Sequence, residues 1–339
     1  MRRVVLTLSA LTAAGLVLTA CSGRPAPKPK PPAPAPRQAV SQPVTKYWPL
    51  TGFKVRSSKM ARFRHRVLVV KMDNTVSSRP QLGLSKADMV VEELVEGGLT
   101  RLAVFYQSHL PRVVGPIRSM RASDIDVVSP AHASIVTSGA AGRTIARIRG
   151  AHIRFYAEGT RGMYRTAREA PYNLFARLRR IAAVARRQSK KPLPGYLAWG
   201  PAKDLPHGRK VTKIRAQFSD VHSTNWVFRH GTYHNTDSNA AAGGQFPASN
   251  VLVLRVREGV AGYLDPAGNH VPVTLLTRSG RAQLFHDGRM VVATWHKGWA
   301  PTSRIKLTTR KGHHKLEVPR GYTWIELVPA RGGHVTVSK

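Results

Sequence analysis

Arg118-Ser119-Met120-Arg121 follows a Gly115-Pro116 turn, a grouping that puts two guanidinium groups and a hydroxyl close together. Guanidinium forks match the oxygens of phosphates and carboxylates, so the chemistry on offer is anion binding. Carboxylates are the scarce charge in this chain, yet seven of its 17 acidic residues lie between Asp73 and Asp126. That concentration makes Arg101, Arg118 and Arg121 natural partners for Asp73, Glu92, Glu96, Asp124 or Asp126. Two uses are open. The network holds the fold together, or it offers Asp73, Glu92 or Glu96 as a base or divalent-metal ligand beside an arginine-held anion.

The familiar reaction signatures are missing. There is no GxSxG elbow, no HExxH and no lysine-bearing phosphate loop, and the lone cysteine is Cys21. His234, Asn235 and Asp237 form a small polar group, as do His313 and His314, but no second ligand pair stands at a recognised spacing. No metal and no cofactor is expected. The leading expectation is a binding protein, and the alternative is an enzyme acting on a phosphate-containing or glycan substrate through an Arg/carboxylate cleft.

Residues of this kind need strand ends to hold them. Val67 to Met72 and Leu102 to Tyr106 read as strands. Between them Ser85 is placed to cap a helix starting at Lys86-Ala87, with Met89, Val90, Leu94 and Val95 as its apolar face and Gly97-Gly98 as its stop. Asp124 to Val128 and Ala133 to Thr137 read as a further helix or strand pair, ending in the loop Ser138-Gly139-Ala140-Ala141-Gly142. Leu174, Leu178, Ile181, Ala182 and Ala185 are spaced for a helix presenting Arg177, Arg179, Arg180, Arg186 and Arg187. From Lys210 the pattern turns to alternating strands, with turns at Asp287-Gly288, Arg320-Gly321 and Gly332-Gly333. The fold class is α+β. A mixed α/β domain over 47–208 precedes a mainly antiparallel β domain over 209–339.

The start of the chain speaks to compartment. Arg2 and Arg3, an apolar run to Leu18, and Leu18-Thr19-Ala20-Cys21 make residues 1–20 an export leader. The junction resembles a bacterial lipobox, which implies diacylation of Cys21 and anchoring in the lipid bilayer on the extracytoplasmic face. Residues 21–46 form a Pro-rich linker that favours an extended conformation. With Lys+Arg at 54 and Asp+Glu at 17, the formal charge is +37. Export removes nucleic acid as a partner, so the charge points to an anionic cell-envelope polymer or a cell-wall assembly protein.

Several segments together resemble the YerB-like bacterial lipoproteins, whose two halves are domains of unknown function (DUF3048). They are Asp73-Asn74, Arg79-Pro80, Ser85-Lys86-Ala87-Asp88, Glu96-Gly97-Gly98, Thr100-Arg101, Gly115-Pro116, Arg118-Ser119 and Arg121, with Met163 to Phe175 and the YTWIELVP segment. The resemblance implies export, lipidation and a two-domain build, and brings no activity with it. Where the family tends to carry Arg-Asp and Pro-His-Asn, this chain has Arg165-Thr166 and Pro171-Tyr172-Asn173. A mechanism that needs that histidine is disfavoured. Arg165 and Asn173 thus join Arg101, Arg118, Ser119 and Arg121 as candidate ligand-binding residues.

Overall fold

The N-terminal half supplies β1 (Leu68–Asp73), β2 (Met89–Leu94), β3 (Thr100–Tyr106), β4 (Ser134–Val136), β5 (Phe155–Tyr156), β6 (Met163–Arg165) and β7 (Leu174–Ala176). Its helices are α1 (Asp124–Val128), α2 (Gly142–Gly150) and α3 (Leu178–Val184). Short strands β8 (Trp199–Gly200) and β9 (Arg209–Lys210) lead to β10 (Lys213–Gln217), β11 (Ser223–Arg229) and β12 (Thr232–Asn235). The remainder is β13 (Asn250–Leu264), β14 (His270–Leu275), β15 (Arg278–His286), β16 (Arg289–Lys297), β17 (Lys306–Thr309) and β18 (Lys315–Leu316), then β19 (Val318–Pro319), β20 (Thr323–Pro329) and β21 (His334–Ser338). The computed structural model describes residues 46–55, 66–185 and 193–339. The leader, Cys21, the linker, Arg186 and Arg187 lie outside the described residues.

One large sheet runs β18-β17-β16-β15-β13-β20-β2-β3-β1-β4-β5, with β14 beside β13 and β9 beside β16. Strand β20, from the last third of the chain, lies between β13 and β2 and is parallel to both. The two halves of the sequence therefore share one sheet, and Thr45–Lys339 forms one compact unit. The boundary at residue 209 marks a change of sequence pattern, not a break in the ladder. A second sheet, β12-β11-β10-β21, packs on one face of the first. The α+β class holds, with mainly antiparallel pairing toward the C-terminus.

Central strands are apolar on both faces because both faces are covered. On one face Val69, Val91, Phe105, Leu254 and Leu327 pack with Val127 and Val128 of α1 and Ile148 of α2. On the other, Val70, Val90, Val104, Val253 and Trp324 pack with Leu178 and Ile181 of α3 and with Ile214 and Trp226 of the small sheet.

The helix expected from Lys86 onward is instead strand β2, preceded by a single turn at Leu84–Lys86. Burial explains the difference. A strand covered on both faces loses the period-two alternation that marks half-buried strands, and the run Met89-Val90-Val91 then fits either pattern. Tertiary pairing with β3 and β20 decides it. Gly115 is required for space as well as its φ of 146°, since a Cβ there would meet Phe175 Cδ1 at 2.6 Å and the Leu174 carbonyl at 2.9 Å.

Candidate anion-binding site

Register brings the predicted residues to one place. Asp73, the last residue of β1, pairs across the ladder with Arg101 of β3. Beyond β1 and β4 the chain carries Arg118, Ser119 and Ser138; the Ser138 amide donates to the Arg118 carbonyl at 3.1 Å, and the two serine hydroxyls lie 3.2 Å apart. The β6–β7 hairpin adds Arg165, Tyr172 and Asn173 beside them.

Arg101 and Arg121 are spent on the fold. Arg101 Nη2 donates to Glu96 Oε1 at 2.6 Å and Nη1 to the Ser119 carbonyl at 2.9 Å. Arg121 donates through Nε to Glu96 Oε2 at 2.8 Å, through Nη2 to Oε1, and through Nη1 to the Met120 carbonyl at 3.0 Å. Both arginines are buried. Burial and the neighbouring Arg121 charge lower Arg101 to about 10. Burial alone would raise Glu96, but its bonds and charge contacts with Arg121 and Arg101 hold it below the usual carboxylate range.

Arg118 differs. Its Nε lies 3.0 Å from Asp73 Oδ2, out of line for a hydrogen bond, and its guanidinium sits 5.6 Å over the Tyr172 ring. Asp73 gives its other oxygen to Thr75, accepting from the amide at 2.8 Å and from the hydroxyl at 2.5 Å. No hydrogen bond from Arg118 Nη1 or Nη2 reaches any described residue, and the side chain is 23% exposed. Of the three clustered arginines, it is the one with donors to spare. Arg165 is bidentate to Glu158 at 2.6 and 2.7 Å and reaches Asn173 at 2.6 Å, so that pair is brought in but already engaged. Of the α3 arginines, Arg177 stacks over Tyr164 and Arg179 donates to the Leu110 carbonyl.

Glu92 lies under the small sheet, apart from the arginines. Its Oε1 accepts from Asn74 at 2.9 Å, Thr100 at 2.7 Å and Thr224 at 3.0 Å, with His222 Nε2 at 2.9 Å. Burial would raise its pKa, but the bond and charge of His222 together with the Thr100 and Glu326 contacts outweigh it, so Glu92 sits below the usual range. Beside it in the ladder stands Glu326. Burial and the Glu92 charge push Glu326 well above that range; its Oε1 accepts from Trp226 Nε1 at 2.7 Å and its Oε2 accepts from no described group. On the opposite face Lys71 bridges Glu93 at 2.5 Å and Asp124 at 2.9 Å, all three buried. One ammonium serves two carboxylates there. Burial and the negative charge of Asp124 raise Glu93 against the pull of Lys71.

Sequence reasoning missed Lys71, His222 and Glu326. Lys71 and Glu326 each carry a readable signal, a charge inside an apolar β run; His222, in a turn, carries none. His234 rests 3.1 Å from its neighbour Thr232, Asp237 caps Asn225, and His313 sits at positive φ in a turn. His234 is thus held within β12 and Asp237 at the adjoining strand β11. A cavity of about 270 Å³ lined by Lys213, Arg215, Asn225 and Thr336 lies at the small sheet and shares no residue with the Arg118 cluster.

The comparisons with known proteins complete this picture. The model of the N-terminal domain of "Protein of unknown function (DUF3048)" matches residues 50–191, and that of its C-terminal domain matches 213–325. The chain belongs to the DUF3048 family. YerB of Bacillus subtilis (strain 168), named as a candidate lipoprotein, is 47% identical over 73 residues, 22% of this chain and 21% of YerB. The crystal structure of YerB superposes with a TM-score of 0.69 at 20% identity, covering 86% of this chain and 99% of that one. At that identity the likeness speaks for a DUF3048 fold. Lipoprotein is also the class read from the Cys21 junction.

Proposed function

We propose that this DUF3048 protein is exported, anchored in the membrane through acylated Cys21, and binds an anionic envelope ligand at the strand-end ledge of Arg118, Ser119 and Ser138. The supporting observation is the division of labour among three arginines: Arg101 and Arg121 are both bonded to Glu96, while neither terminal nitrogen of Arg118 donates to a described residue. A guanidinium held by stacking on Tyr172 and by the Asp73 carboxylate 3.0 Å from its Nε is ordered before its ligand arrives, which lowers the entropic cost of binding. The excess of cations over acids favours a phosphate-bearing or carboxylate-bearing polymer as that ligand.

Catalysis by the nearby carboxylates is the weaker reading. Glu96 and Glu92 are held below the usual range, which makes them poor bases, and Asp73 has both oxygens engaged. The test is titration of the chain with a glycerol-phosphate polymer at several salt concentrations. Wild type binds, more weakly as salt rises, and Arg118→Gln loses at least tenfold in affinity. Equal binding by the two proteins contradicts the site.

A further inference from the structure

The direction of the strands sorts the surface. Strands β1, β2, β4, β5, β13 and β20 all point the same way, through the parallel pairs β13·β20, β2·β20, β1·β4 and β4·β5 and the antiparallel β3 between β1 and β2. Strand β16, two antiparallel steps from β13, points the same way too. Their C-terminal ends therefore gather at one end of the large sheet.

Exposed apolar side chains gather there as well. Val76 follows β1 at 68% exposure, Leu99 lies between β2 and β3, and Trp299 follows β16 at 70%. Val221 belongs to the β10–β11 turn, but it packs over Gly98, and Ser219 of that turn donates to the Gly98 carbonyl. Strand β13 runs past its partner β20 and forms with β14 a hairpin bearing Val260, Leu264 and Leu275, which crosses to Arg143 and Thr144 in the first turn of α2. Of the large apolar side chains exposed among the described residues, only Tyr47, Phe53 and Val184 lie elsewhere.

We propose that this end of the sheet is a docking surface for an anionic lipid bilayer. Three observations favour lipid as the occupant. The apolar groups stand on separate loops spread over the sheet end, from the β1 loop to the β16 loop, an arrangement that suits penetration of a soft surface. Trp299 stacks with Arg278 at 4.9 Å, pairing an aromatic ring with a cation as at a headgroup boundary. Arg118, Arg143, Arg257, Arg278 and Arg331 lie toward the same end, with Asp220, Asp237, Glu258 and Asp265 among the acids there outside ion pairs. Anchoring by acyl chains and docking by the folded body are two separate signals, which together give stable membrane attachment. This surface does not depend on the Arg118 ligand, and its test leaves Arg118 untouched.

The full chain is mixed with vesicles of phosphatidylglycerol and phosphatidylcholine carrying brominated acyl chains, and the emission lost in Trp299→Phe isolates the Trp299 share. That share is expected to be quenched by at least half, in wild type and in Cys21→Ala alike. Quenching should fall at least threefold in Val221→Ser/Leu264→Ser and in vesicles without phosphatidylglycerol, while Phe53→Ser, at the other end of the sheet, leaves it unchanged. A chain that floats with the vesicles yet shows an unquenched Trp299 overturns the docking surface and leaves the anchor standing. Equal quenching in the Val221→Ser/Leu264→Ser variant also overturns it.

Discussion

Glu92 of β2 and Glu326 of β20 stand opposite each other in a parallel ladder, each with no exposed surface. Two carboxyls so close in the core do not ionise together, and the sharing of one negative charge between them follows. The pair joins the N-terminal and C-terminal family segments, because His222, Thr224 and Trp226 complete it from the second.

The pair predicts a pH dependence. Glu326 is held well above the usual carboxylate range by burial and by Glu92, so the folded state binds its proton more tightly than the unfolded chain does. Its contribution to stability is full below the unfolded value near 4.5 and is lost as pH rises through the raised one. Glu326→Gln removes that limb. Urea midpoints at pH 5 and pH 9 should then differ by less than half the wild-type difference, and an unchanged difference contradicts the assignment.

Lys71 holds two buried carboxylates, so Lys71→Met leaves both uncompensated. The expected loss is about 3–5 kcal/mol in chemical denaturation, the usual cost of breaking a buried pair. Adding Glu93→Gln and Asp124→Asn should recover part of it. A loss below about 1 kcal/mol, typical of exposed pairs, contradicts the buried triad.

The three arginines should separate by phenotype. Glu96→Gln strands Arg101 and Arg121 and should cost roughly 2–4 kcal/mol, while Arg118→Gln, partly solvent-screened, should cost under about 1 kcal/mol. Thermal and urea unfolding of the two variants reads this directly. Equal costs would mean that Arg118 is as structural as its neighbours.

Much of this was legible in the sequence, for identifiable reasons. Alternating strands beyond Lys210 have one open face, and β10 and β16 appear close to where the pattern puts them. Strand β2 misled because Met89 to Glu93 are buried on both faces, and the glutamates that looked like the polar side of a helix are instead neutralised inside. Charge scarcity picked out Arg101, Arg118, Glu96 and Asp73 as partners, but it also offered Asp124 and Asp126 to the arginines, and these pair with Lys71 and Lys297. Glu92, by contrast, pairs with His222, 130 residues further on. Local sequence gives no signal for a contact set by how the small sheet packs on the large one.

Cys21→Ala tests the anchor. The variant should leave the detergent-soluble membrane fraction and become extractable by high salt, with only the weaker docking of the folded body left to hold it. Retention against high salt, equal to wild type, would argue against lipidation.

The central claim is that Arg118 is the arginine left free for a ligand. The most direct measurement is the side-chain guanidinium NMR spectrum of the labelled protein during titration with pyrophosphate. The Arg118 signals should shift and saturate while those of Arg101 and Arg121 stay in place, since Glu96 already holds them. Shifts at Arg101 or Arg121, or none at Arg118, would contradict the account.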